Sequence, residues 1–235
     1  MPNATSHLIQ NPDRLAALRN TALLDTAPEI AFDRLTRLAS IVLGVPVSLV
    51  SLVDTDRQFF KSFVGLGEPW ATAQQTPFSH SFCQHVVAND DALIVTDARQ
   101  HHLVHDNRAI PDLGVIGYLG VPLRTSEGHV LGSFCVIDTE PHEWSEAEIG
   151  IVYELAESVM VEIELRNEIT KRQKTEIRLR NANTELETKK RQLERVTEFS
   201  RSTIDHAIGV IRQGGETEEI MTYLNMAKRG LDQYK

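Results

Sequence analysis

Apolar and polar residues follow one another along this chain in two regimes. Up to about residue 165, short β-branched runs, turn clusters and amphipathic stretches alternate; from about residue 150 the spacing is helical, and no proline follows Pro141. Strands repeat every two residues and helices every 3.6, so period separates the two. Asn11 before Pro12 predicts a helix start, and "RLAALRNTALL" continues at helical spacing. Thr26 and Glu29 stand at capping-box spacing ahead of "IAFDRLTRLASIVL", which Gly44 and Pro46 end. "VSLVSLVD" (47–54) predicts a strand, Asp54, Thr55 and Asp56 a tight turn, and "RQFFKSFV" (57–64) the antiparallel partner. "GLGEPWATAQQTP" reads as a polar loop, and "PFSHSFCQHVV" (77–87) as one helix, capped by a Ser81–Gln84 box or by Ser79.

"ALIVTD" (92–97) predicts a short buried strand, and "ARQHHLVHDNRAIPDLGVIG" an irregular, His-rich loop of a length that usually carries function. "YLGVPLRT" and "HVLGSFCVID" read as two strands joined through "SEGH"; Ser145 and Glu148 form a capping box that opens a long helix. Five strands joined mostly by hairpins, with helices around them, predict an antiparallel α+β sandwich; the βαβα alternation of a doubly wound parallel sheet is missing.

The helical regime carries a heptad. Leu165, Leu179, Leu186 and Leu193 share one register, with Arg172 in the remaining slot. The companion seam, Ile169, Glu176, Asn183, Lys190, Thr197 and Ile204, is mostly polar. A helix this polar gains little from packing alone, which favours a parallel homodimeric coiled coil through Leu165, Ile169, Leu179, Leu186 and Leu193 over a solvated single helix. Gly214 and Gly215 end the helix, and Thr217 caps a last one with Ile220, Leu224, Ala227 and Leu231 on one face, which predicts a terminal helical hairpin. The resulting division is an N-terminal helical segment (1–25), a mixed domain (26–165), a coiled-coil helix (166–213) and a terminal helix (214–235).

Composition narrows the function. With 235 residues, 41% of them hydrophobic, the chain can build a real core. A net charge of −9 disfavours nucleic acid as a partner, since phosphate binding needs clustered Lys and Arg. Cys83 and Cys135 are too few for a disulfide scaffold and read as free thiols. The N-terminus carries no signal-peptide pattern and no apolar run approaches about 20 residues, which predicts a cytoplasmic protein without membrane insertion.

The densest chemistry is His80, Cys83 and His85. Residues three apart share a helical face but residues five apart do not, so one regular helix cannot aim all three at a metal, and no second pair has matching spacing. His101, His102 and His105 read as solvated loop residues, and no metal is expected. Cys83 near a helix start is favoured as a thiolate; Cys135, inside a strand, reads as a small core residue. "GLG" and "GVIGYLG" do not join a strand to a helix and are not phosphate loops.

From "LLDTAPEIAFDRLTRLASIVLGVPVSLVSLVDTDRQFFKSFVGL", through "PFSHSFCQHVV", "LIVTDAR" and "YLGVPLRTSEGHVLGSFCVID", to "PHEWSEAEIGIVYELAESV", residues 14–165 resemble the GAF domains of bacterial sensor kinases and cyclic-dinucleotide signalling enzymes. The resemblance implies an antiparallel sheet of five to six strands flanked by helices, followed by a long signalling helix. It implies a pocket between the sheet, the Cys83 helix and the long loop, with Phe60, Phe82, Cys83, His85, Asp97, Asn107, Tyr118 and Phe134 as its ligand-facing set; Asp97 and Asn107 read equally well as turn caps. The nucleotide-binding signature of the family is missing. Cys83 beside His85 has a likeness to bilin attachment, but the same "FC.H" occurs in GAF domains without a chromophore. Free methionine sulfoxide reductases on this fold use several cysteines, in surroundings that the two here do not match. The cofactor stays unassigned.

No GGDEF-type loop, kinase glycine box or phosphodiesterase motif is found, so a non-catalytic sensor is expected, binding a small ligand and acting on a signalling enzyme in trans. Two alternatives stay open: the sensory N-terminal fragment of a histidine kinase or diguanylate cyclase, and a Cys83-dependent redox enzyme. His206 falls where a dimeric kinase would carry its phosphoacceptor, but Ala207 follows it instead of an acidic residue, and it reads as a surface histidine of a bundle.

Overall fold

The computed structural model describes residues 8–214 and 216–232, in two compact units that divide between Ile169 and Thr170. Six strands form the first unit's sheet: β1 (Val47–Val53), β2 (Arg57–Val64), β3 (Gln75–Pro77), β4 (Leu93–Val95), β5 (Gly117–Arg124) and β6 (Val130–Asp138). Their order is β3-β2-β1-β6-β5-β4, with every neighbouring pair antiparallel. β1 and β6 are buried almost throughout because helices cover both faces, which is why their sequences are nearly continuous apolar runs.

One face packs on α1 (Pro12–Asn20), α2 (Ile30–Leu43) and the start of α6 (Glu146–Arg212). Leu18, Leu23, Phe32, Val50, Leu52, Phe59, Phe134 and Val159 fill this layer, so the described chain from Leu8 to Asp25 packs as part of the first unit. The other face packs on α4 (Cys83–Asn89) and on the segment before β5, which contains the short helix α5 (Ala109–Leu113). α1 is held by Arg14, whose buried guanidinium donates to the carbonyls of Ile9, Val53 (2.8 Å) and Val130 (3.3 Å). Burial lowers its pKa to about 10.

The chain stops agree with the expected turn chemistry at three places. Asn11 Oδ1 accepts from the amides of Asp13 and Arg14, Gly44 turns left-handed (φ 66°) after α2, and Ser145 and Glu148 cap α6 reciprocally. Three expectations are corrected. The loop 65–77 contains the single-turn helix α3 (Trp70–Ala73) and strand β3, a Gln-Thr-Pro edge with no apolar signature that pairs with Arg57–Phe59. The segment 77–87 is not one helix: Phe78–His80 form a 3₁₀ turn, Ser81 is extended, and α4 begins at Cys83.

The Thr26–Glu29 box does not form either. Lys61 on β2 faces the helix layer with its side chain fully buried, and its Nζ takes Glu29 Oε1 (2.6 Å), Thr26 Oγ1 (2.7 Å) and the Ala27 carbonyl (2.7 Å). All three ammonium donors are thereby satisfied. A buried charge without a counter-charge costs several kcal/mol and a helix cap contributes about 1, so the ammonium wins both side chains. Glu29 also pairs with Arg166 of α6.

In the second unit α6 runs on to Arg212, Gly214 turns left-handed (φ 79°), and α7 (Thr217–Asp232) returns along it, with the His206 and Tyr223 rings edge-on at 4.7 Å. Val196, Ala207 and Ala227 are buried there. The Glu216 carbonyl, accepting from Glu219 and Ile220, opens α7, and Thr217 is already helical. Gly215 and the Leu231 side chain lie outside the described residues. Leu165, Ile169, Leu179, Leu186 and Leu193 are all exposed on the single chain. Among the described residues no helix is long and apolar enough to cross a membrane.

Between β6 and α6, His142 sits 3.0 Å from both Asp138 and Glu148 and stacks on Trp144 at 3.9 Å, whose indole donates to the Val95 carbonyl. Burial opposes its charge, but hydrogen bonds to the two carboxylates outweigh that and raise its pKa.

Two predictions follow from these contacts. Glu29→Gln strands the buried Lys61 ammonium and lowers unfolding stability in urea by about 3 kcal/mol, more than Lys61→Met, which places an apolar chain in an apolar layer; the reverse order would count against the ion pair as the organiser of this corner. His142 is protonated more readily folded than unfolded, so its contribution is full below about pH 6.5 and is lost as pH rises through the raised value. The difference in melting temperature between the natural chain and His142→Gln therefore shrinks from about pH 6 to about pH 8; a difference flat with pH refutes this.

Candidate functional site

On the face opposite α1 and α2, the sheet and α4 do not close completely. Leu49 (β1), Phe60 (β2), Tyr118 (β5) and Ile137 (β6) form a floor, since each lies one residue from a neighbour that points into the other layer. Phe82 and Cys83 at the start of α4 and Leu113 of α5 make the walls, and Glu68 and Trp70 stand at the rim. The space they leave, open on one side, is about 150 Å³. A cavity of that size takes a ligand on the scale of benzene.

Besides the Tyr118 phenol and the Trp70 indole, the polar residues lining it are Gln58, Glu68, His80 and Asp112. Gln58 is consumed by the fold, donating to Thr76 Oγ1 (2.6 Å) and the His80 carbonyl (3.3 Å) while accepting from Ser81 Oγ (2.6 Å). His80 bridges Ser79 Oγ and Asp112 Oδ2, both at 2.9 Å, which ties α5 to the 3₁₀ turn, and the Trp70 ring lies 4.9 Å away. Asp112 keeps a side chain 40% exposed and has acceptor capacity left. Among the described residues no Lys or Arg lines the cavity, although Arg108, just before α5, lies 3.7 Å from Asp112 and shares its carboxylate with His80; Glu68 is the carboxylate at the cavity without a basic side chain against it.

Below the wall lies a sulfur pair. Cys83 Sγ is 3.8 Å from Cys135 Sγ and accepts from the Tyr118 hydroxyl at 3.4 Å, all three side chains being buried. The hydrogen bond from Cys135 stabilises a Cys83 thiolate, against burial, and brings its pKa to about 7. Burial pushes Cys135 and Tyr118 the other way.

Phe60, Phe82, Cys83 and Tyr118 of the expected set meet at this cavity. Phe134 does not: it precedes Cys135 on β6 and points into the α1/α2/α6 layer, buried with Phe32 and Val50. Asp97 is also elsewhere, capping the turn Ala98–Gln100 and paired with Arg99, which brings its carboxyl to about 2. Asn107 is a turn cap, accepting from the Ala109 amide and donating to the Ser81 carbonyl. His85 lies across α4 in a separate, wider cleft with Gln84, His102, His105 and Asp106, and burial lowers its pKa. His80 was singled out as a metal candidate and not as a cavity residue, and Asp112, Trp70 and Ile137 were not anticipated. Alternation along "GSFCVID" carried the signal for Ile137, since it places Cys135 and Ile137 opposite Phe134; nothing local marks Asp112 or Trp70.

A family model described as GAF domain matches residues 27–163. A cyclic di-GMP phosphodiesterase of Pseudomonas aeruginosa is 31% identical over 152 residues, which cover 64% of this chain and 25% of that protein. Among solved structures, the fold matches a domain assigned to a two-component sensor histidine kinase of Sinorhizobium meliloti (TM-score 0.51, 20% identity, 63% of this chain and 99% of that one). It also resembles a free methionine-R-sulfoxide reductase of Neisseria meningitidis (TM-score 0.48, 20% identity, 67% and 94%). At these identities the structural likeness is one of fold.

Proposed function

The chain belongs to the GAF domain family, and we propose that it is a non-catalytic sensory module in the cytoplasm, taking a small ligand into the Cys83–Tyr118 cavity and relaying its presence along α6. The observation that carries this is the cavity itself: concave, mostly apolar, and with few convergent polar groups. Glu68, and the acceptor capacity left on Asp112 beside Arg108 and His80, select a ligand with an aromatic or aliphatic body that is neutral or cationic and offers a hydrogen-bond donor. The name of the Pseudomonas relative does not transfer to this cavity. A cyclic dinucleotide carries two phosphates, which need cations or amide nests, and it exceeds a benzene-sized space several-fold.

The relay has a physical start. Ile137 lines the cavity, and the next residue, Asp138, holds His142, which holds Glu148 in the first turn of α6. A ligand that favours one placement of β6 shifts the population of α6 placements by its differential affinity and no more. Output then comes from a signalling enzyme in trans, or from an output domain of the same polypeptide. We place homodimerisation on α6, whose exposed Leu179, Leu186 and Leu193 repeat every seven residues and have no partner surface on the single chain.

Two measurements test this reading. In thermal-shift and native mass spectrometric titrations, benzylamine and benzyl alcohol bind and benzoate does not, and Val115→Phe, which fills the cavity, abolishes binding while the circular dichroism spectrum is retained. Binding of benzoate as strong as that of benzylamine, or binding undiminished in Val115→Phe, sinks the ligand assignment. In sedimentation equilibrium, the double variant Leu179→Ala, Leu186→Ala weakens the dimer by at least about a hundredfold, since four buried leucines are lost per dimer; an unchanged mass distribution removes α6 as the dimer seam.

A further inference from the structure

The chain has two cysteines, and the fold brings them together from positions 52 residues apart, one opening α4 and one in the centre of the sheet. The contact has its own supporting architecture. Cys135 lies opposite Gly120 on β5. A Cβ on Gly120 would come within 2.2 Å of the Tyr118 hydroxyl and 2.8 Å of Ser133 Oγ. The bare backbone there makes room for the phenol that donates to Cys83. A core that only needed two small residues would not need this arrangement.

The two sulfurs differ in access. Cys83 lines the cavity and Cys135 lies behind it, fully buried. A small reagent entering the cavity meets Cys83 first. Glu68 at the rim disfavours anions and leaves neutral molecules free to enter, and hydrogen peroxide or a short alkyl hydroperoxide is neutral and fits the space. The pair must close from 3.8 Å to about 2.05 Å to bond, a movement within reach of χ1 rotation at the first residue of a helix.

We propose that Cys83 and Cys135 form a hydroperoxide-oxidised dithiol, in which Cys83 is the attacking sulfur and Cys135 the resolving one. The Cys83 thiolate attacks the peroxide oxygen; a sulfur–oxygen bond forms, the oxygen–oxygen bond breaks, and the leaving oxygen takes up the proton Cys83 gave up, departing as water or alcohol. Cys135 then attacks the sulfenic sulfur, the sulfur–sulfur bond forms, and the hydroxyl leaves as water with the Cys135 proton. Two thiols lose two electrons and one hydroperoxide gains them. A small dithiol reductant reverses the change. The pK ordering of the pair, Cys83 low and Cys135 high, suits these roles. Oxidation removes the Cys83 thiol from the cavity wall, so it alters the cavity whether or not an organic ligand occupies it.

The test uses the full chain, reduced and then exposed to a slight excess of hydrogen peroxide, quenched by alkylation under denaturing conditions and mapped by peptide mass spectrometry. The expected product is a Cys83–Cys135 crosslink within one chain, reversed by dithiothreitol. In Cys135→Ser the Cys83 sulfenate accumulates and is trapped by dimedone; in Cys83→Ser, Cys135 reacts at least about tenfold more slowly than Cys83 does in the natural chain. A natural chain that keeps both thiols free, links only between chains, or goes to sulfinate without the crosslink overturns the proposal. So does equal reactivity of Cys135 in Cys83→Ser. The crosslink map needs no variant, so a misfolded variant leaves the decision intact.

Discussion

Burial of the central strands on both faces is the constraint from which the rest of this domain follows. β6 is hydrogen-bonded to β1 and β5 and covered above and below, so each of its residues is committed to one of two layers. Close approach is needed too: a Cβ on Gly132 would lie 1.9 Å from the Ser51 carbonyl, next to the irregularity in β1 between Val50 and Ser51. With Phe134 and Val136 given to the helix layer, Cys135 and Ile137 are left for the other side. There the cover is a short helix and a loop, and a sheet roofed by so little backbone is where a cavity opens.

The same constraint explains the buried charges. Lys61 and Arg14 lie where layer positions would ordinarily be apolar, and each is satisfied by groups that the sequence holds far away: Glu29 and the Ala27 carbonyl for the lysine, the carbonyls of Val53 and Val130 for the arginine. Both tie the N-terminal segment to the sheet. Glu29 in turn takes Arg166, so one carboxylate joins α2, β2 and α6. Removing a partner from such a cluster leaves an uncompensated charge, which makes the corner stiff in composition as well as in shape.

What could be read from the sequence was what depends on neighbours along it. Asn11, Gly44 and the Ser145–Glu148 box act within a few residues, and the β1–β2 and β5–β6 hairpins are written in alternation and turn residues. The failures are long-range. Thr26 and Glu29 fit a capping box by spacing, but a lysine more than thirty residues on takes both. β3 exists because Arg57–Phe59 offers it an edge, with nothing in Gln-Thr-Pro to announce it. For the cavity, Cys83 and Tyr118 were legible from their elements, whereas Phe134 was misplaced by one step of the two-residue period. The His80–Asp112 bridge joins a 3₁₀ turn to a helix 32 residues away, beyond any local pattern.

The cavity and the long helix are connected more simply than a chain of distant couplings would need. Ile137 and Asp138 are adjacent on a strand, so their side chains leave opposite faces of the same backbone. One feels the cavity; the other grips His142 at the base of α6. In the proposed relay, a ligand that favours one placement of this short stretch of β6 alters both contacts together, by its differential affinity and no more. Cys135 occupies the same strand two residues earlier, with its sulfur against Cys83. Under the proposals made above, a bond formed there and a ligand held beside Ile137 act on one segment of backbone, and each influences the other only as far as it favours one placement of that segment.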